Sequence, residues 1–111
     1  MDNEIQKQLI EMARNVADSK VKYKDSKISL DIRKAKLNLD TNWEEVLGKS
    51  KPTVAEKESW IKIETEGQAR NVADLKVSRD YCRRVFEINM LANKEWYYGG
   101  LLSLLLWVCM S

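Results

Sequence analysis

No histidine occurs anywhere in the 111 residues. Its absence removes the commonest general base, the commonest metal ligand and every catalytic triad built on imidazole. The two thiols, Cys82 and Cys109, sit respectively beside Val85 and Phe86 on an apolar helical face and at the end of an apolar run. Neither has the cationic, accessible setting that lowers a thiol pKa. Two distant cysteines without histidine cannot complete a four-ligand zinc site, and without a dense cysteine framework they read as reduced thiols rather than a structural disulfide. The carboxylates at Glu44, Glu45, Glu56 and Glu58 could reach magnesium, but acids beside helix starts usually serve the helix dipole. The run GQARNVAD, residues 67–74, lacks the spacing and lysine of a phosphate loop, and Gly99-Gly100 leads into an apolar segment. The expectation is a protein without catalytic residues, cofactor or metal, working by binding.

Three features could bind a macromolecule. From Lys20 to Lys36 the chain reads KVKYKDSKISLDIRKAK, with seven basic residues against Asp25 and Asp31. Lys20, Lys22, Lys24, Lys27, Arg33, Lys34 and Lys36 could contact phosphates and Tyr23 could stack on a base. The other reading of such a run is a solvated helix face. The whole chain carries 19 basic and 17 acidic residues, too even a balance to announce nucleic acid by itself. A second basic patch, Arg79, Arg83 and Arg84, is expected to fold away from the first. The tryptophans Trp43 and Trp60 are candidate anchors for a protein partner. The third feature is WYYGGLLSLLLWVCMS, residues 96–111, which has no charged side chain. A continuous helix there would span about 24 Å, short of a hydrocarbon core of roughly 30 Å. Leu101, Leu104, Leu105 and Trp107 are therefore expected to pack on the chain itself or on another copy, with an interfacial membrane anchor as the alternative.

These residues need long helices to hold them. With 32% charged residues, one proline and four glycines, the composition favours solvent-facing helices, and the length suits a single domain. Ile5, Leu9, Met12, Val16, Tyr23, Leu30 and Leu37 recur at helical steps. They predict a helix from about Asn3 to Leu39, its inner stripe widened in the second half by Val21, Ile28, Ile32 and Ala35. The segment LDTNWEEVLGKSKP predicts a short helix, Asn42 to Leu47, with a capping pair at Thr41 and Glu44 and a stop at Gly48. Trp43, Val46 and Leu47 would cap the turn. After Pro52, Thr53 and Glu56 have the spacing of a capping box. They open a second long helix that carries Ile61, Ala69, Val72, Leu75, Cys82, Phe86 and Met90 inward.

Two long helices and a compact connection predict an antiparallel hairpin, coiled-coil-like, over residues 1–95, followed by the apolar tail 96–111. The segment ARNVADSKV, residues 13–21, returns as ARNVADLKV, residues 69–77. The copies straddle Glu45, so a hairpin folded there would lay them side by side and bring Val16 close to Val72. The repeat reads as a packing cassette of small residues in preference to a duplicated docking site.

In WEEVLGKSKPTVAEKESWI and VFEINMLANKEW the chain resembles small helical accessory proteins encoded in the early regions of phages and prophages of low-GC Gram-positive bacteria. The likeness covers approximately residues 3–96: a charged helix, a tryptophan-containing turn ending in GKxxPTVxEK, and a helix closing with an aromatic and EIN. The apolar tail departs from that pattern, and no catalytic residues come with the family. The resemblance implies an intracellular accessory role in the bacterial cytoplasm, beside replication and recombination proteins or as inhibitor of a host system. The expected partner is a protein, with self-association; nucleic acid bound through Lys20–Lys36 is the alternative, and membrane association ranks after both. The amphipathic, acidic start MDNEIQKQLIEMA is unlike a secretion signal.

Overall fold

A computed structural model of the chain describes residues 3–93. They form α1 (Asn3–Asp40), α2 (Trp43–Leu47), α3 (Val54–Glu64) and α4 (Glu66–Ala92). No strand occurs among the described residues, and α1 packs against α4 in an all-α helical hairpin. The apolar segment 96–111, with Leu101, Leu104, Leu105 and Trp107, lies outside the described residues.

The described chain divides into two compact units, one of residues 3–23 and 74–93 and the other of residues 24–73. In the first unit, Leu9, Ala13 and Val16 of α1 form a buried cluster with Phe86 and Met90 of α4, and Ile5, Met12 and Cys82 pack against it. Burying side chains such as Leu9 and Phe86 stabilises by about 1.5–3 kcal/mol each. Ser19 continues the inner face but is polar, and its hydroxyl is satisfied by donating to the Val16 carbonyl at 2.8 Å. In the second unit the buried side chains are Leu30, Ile61 and Thr65.

The connection follows the sequence closely, with one change of cap. Asn42, not Thr41, is the N-cap of α2: its side chain accepts from the Glu45 backbone N–H at 3.3 Å. The Thr41 hydroxyl instead donates back to the Leu37 carbonyl, closing the end of α1. Gly48 ends α2 with φ 68°, the left-handed conformation that glycine adopts without a Cβ penalty. Thr53 and Glu56 make the reciprocal capping box expected of them. Trp43 and Leu47 are half-buried as expected at the turn, whereas Val46 is exposed.

Four expectations need correction. The helix after Pro52 is two helices, interrupted at Thr65, whose φ of −103° and ψ of 8° leave the helical region. The Thr65 hydroxyl donates to the Ile61 carbonyl at 2.7 Å, a back-bond of the kind that bends helices, and Gly67 follows two residues later.

The hairpin is also not centred on Glu45. Tyr23 meets Arg79 in the first unit, and these residues straddle Lys51. In the second, Arg33 meets Gln68, and these straddle the Ser50–Lys51 peptide. The first repeat copy accordingly packs with Phe86 and Met90, its Ala13 and Val16 buried, while in the second copy Val72 is half-buried and Ala73 exposed. The copies thus serve unequal roles.

Val21, Ile28, Ile32 and Ala35 do not widen the inner stripe; all four are exposed. Finally, the two basic patches touch, because the shifted register brings the Arg79 guanidinium over the Tyr23 ring, 4.5 Å from its centroid.

Candidate functional site

Part of the basic run shares one flank of α1 and part lies elsewhere around it. Within the second unit, Leu30 and Leu37 point inward, and at about 100° per residue Lys24 and Lys27 share one flank with Lys34, within about 80°, while Lys36 lies on the other flank. Lys24, Lys27 and Lys36 are exposed. Arg33 is engaged, donating to Gln68 Oε1 at 3.0 Å and to the Glu64 carbonyl at 3.4 Å. Lys34 is half-buried and lines a groove with Ile61, Lys57, Lys62, Thr65 and Ala69. In the first unit, Lys22 is exposed, Lys20 is half-buried, and one face of Tyr23 is taken by Arg79. Arg79 also forms an ion pair with Asp80 at 3.1 Å, and Arg83 lies 3.8 Å from Glu87. Lys24, Lys27 and Lys34 form a short strip interrupted by Asp31, and Tyr23 already has one face covered by Arg79.

Trp43 and Trp60 are brought together. Their rings meet edge to face, with centroids 5.4 Å apart and planes at 82°, a favourable geometry for two indoles. The Lys57 ammonium lies 5.6 Å from the Trp43 ring centroid, and the Trp43 indole N–H donates to the Asn38 carbonyl at 3.4 Å. Both rings are half-buried, so this pair closes the corner between α2 and α3 and offers a partner only its outer edges.

Two surfaces went unread in the sequence. On α4, Val77, Tyr81, Ile88 and Leu91 are 68%, 69%, 59% and 64% exposed and alternate with steps of four, seven and three. Helical geometry puts them about half a turn from Phe86 and Met90. On α1, Ile28, Ile32, Ala35 and Leu39 follow steps of four, three and four, on the side facing away from Leu30 and Leu37. Each of the two long helices thus carries one apolar stripe inward and a second outward. The signal was present in the spacing. It was missed on α1 because outward isoleucines were assigned to a broader inner face.

Among the described residues no group of three or more cysteine, aspartate or glutamate side chains is placed to hold a metal ion. No helix there is long and apolar enough to cross a membrane. Glu56 has a lowered pKa. The Lys49 ammonium, 2.8 Å from its carboxylate, and the Thr53 backbone and hydroxyl donors hold it below the usual glutamate range. This shift belongs to a helix cap.

Comparison of the chain with protein-family models, with curated proteins and with solved structures returned no match.

Proposed function

We propose that this is a non-enzymatic accessory protein that acts by binding another protein, in keeping with its resemblance to phage early-region proteins and with inhibition of a host system as the form of action. The observation that carries this reading is the outward ridge Val77, Tyr81, Ile88 and Leu91 on α4. Large apolar side chains aligned along one helix face suit a helix-in-groove or helix-on-helix contact, where anchors recur at such steps. Tyr81 adds an aromatic body with a polar tip, a residue type enriched at binding hot spots. The outer edges of Trp43 and Trp60, and the segment carrying Leu101, Leu104, Leu105 and Trp107, are further candidate contacts.

Affinity capture from cells expressing the full chain, run beside an Ile88→Glu variant, tests the reading. A protein retained by the parent and lost with the variant, at unchanged helical content, supports it. Capture unaffected by the substitution refutes the α4 face. Recovery of nucleic acid alone, released as salt rises, would transfer the function to the lysines of α1.

A further inference from the structure

The outward ridge of α1 has more definition than an apolar patch. Ile28 and Ala35 occupy d positions of a heptad repeat, and Ile32 and Leu39 occupy a positions. In the same frame Leu30 and Leu37, the side chains that α1 turns inward in its second unit, both fall at f, the position farthest from a coiled-coil seam. The inner packing of the hairpin therefore leaves the a/d seam free. Ile28, Ile32 and Leu39 are 48%, 50% and 81% exposed. The seam has defined ends: the preceding a position is Asp25, and the d position after Leu39 is Asn42, already the cap of α2.

Charges flank the seam on both sides. Asp31 stands at g and Lys36 at e, both exposed, five residues apart. In a parallel coiled coil a g residue faces the e residue five positions later on the other helix. A second α1, parallel and in register, would set Asp31 of each copy against Lys36 of the other, giving two ion pairs beside the seam. The antiparallel arrangement would oppose e to e and g to g. It would set Lys36 against lysine or Ser29 and Asp31 against aspartate or Asn38, with no opposite charges paired.

We propose that two copies of this chain associate through α1, parallel and in register, with Ile28, Ile32, Ala35 and Leu39 forming the seam and Asp31 facing Lys36 of the other copy. The proposal rests on the reading that the protein works by binding protein and names one such partner, the chain itself, on a face separate from the α4 ridge. A seam from Ile28 to Leu39 is about 16 Å long. It is shorter than a standard stable interface of roughly 1,200 Å² or more requires, so the dimer forms and dissociates with concentration.

Sedimentation equilibrium of the full chain over low to high micromolar concentrations measures the association. Ile32→Glu should weaken it by about tenfold or more at unchanged helical content. Asp31→Lys should weaken it as well, and adding Lys36→Asp to that variant should restore it. With Cys82 and Cys109 replaced by serine, Leu39→Cys should give a disulfide-linked dimer under mild oxidation. A monomer at every concentration overturns the proposal, as does a dimer indifferent to Ile32→Glu. A disulfide formed by mixing Ile28→Cys with Leu39→Cys copies, and absent from Leu39→Cys alone, overturns the parallel orientation. Partner capture that survives Ile32→Glu but fails with Ile88→Glu leaves the protein-binding reading intact whatever the dimer does.

Discussion

Glu56 accepts from three directions: the Lys49 ammonium, the Thr53 backbone N–H and the Thr53 hydroxyl. All three favour the ionised carboxylate, so its folded pKa lies below the unfolded value. The contribution to stability is therefore complete above the ordinary glutamate range and is lost as pH falls through the lowered folded value. Thermal melts of the parent and of Glu56→Gln should differ at neutral pH and converge in acid; a constant difference would dissociate the cap from ionisation. Replacing Thr53 by alanine removes the reciprocal partner, a change that at N-caps typically costs about 1 kcal/mol. In the first unit the weight rests on Phe86, which is fully buried between Leu9, Val16 and Met90. Phe86→Ala should destabilise by about 3–5 kcal/mol in calorimetry, and a loss under 1 kcal/mol would place that ring outside the core.

At the scale of helices, the boundaries of α1, the stop at Gly48 and the Thr53 cap were all legible, because each is fixed by residues within a turn of it. The interruption at Thr65 was not. It arises from a hydroxyl that back-bonds within a segment whose apolar periodicity continues on either side, and periodicity does not register such a change. The register was misjudged for a different reason. Two copies of the same nine residues suggested an axis at Glu45, but side-by-side packing follows side-chain volume, and Phe86 and Met90 fill the space beside Ala13 and Val16 better than Val72 and Ala73 would. Arg33→Cys with Gln68→Cys, in a chain whose natural cysteines are replaced by serine, should crosslink within one chain through a short thiol-reactive bridge. A hairpin centred on Glu45 would put Lys57 opposite Arg33, and that construction predicts no such crosslink.

For the whole molecule, a helical hairpin could be read from the sequence, yet which side chains it leaves on the surface could not. In sequence Lys20–Lys36 reads as one block, whereas helical geometry keeps Lys24, Lys27 and Lys34 on one flank interrupted by Asp31, puts Lys36 on the other, and commits Arg33 to Glu64 and Gln68. Titration with single- and double-stranded DNA and RNA at low salt should accordingly show weak or no binding. A salt-sensitive affinity lost on changing Lys22, Lys24 and Lys27 to Glu would reinstate the nucleic-acid function. The sequence does not reveal that Trp43 and Trp60 find each other. Exposed apolar residues were absorbed into the expected core, since a stripe and its opposite differ only by a rotation of the same spacing.

The Trp43–Trp60 pair also provides an optical probe. Two indoles 5.4 Å apart with planes at 82° couple their electronic transitions, and such a pair produces an exciton couplet in circular dichroism that vanishes when either ring leaves. With Trp96, Tyr97, Tyr98 and Trp107 changed to phenylalanine, the remaining indole signal comes from residues 24–73 alone, while Tyr23 and Tyr81 report on the other unit. Denaturation followed at the couplet and at tyrosine emission should reveal whether the two units melt as one cooperative body or in succession.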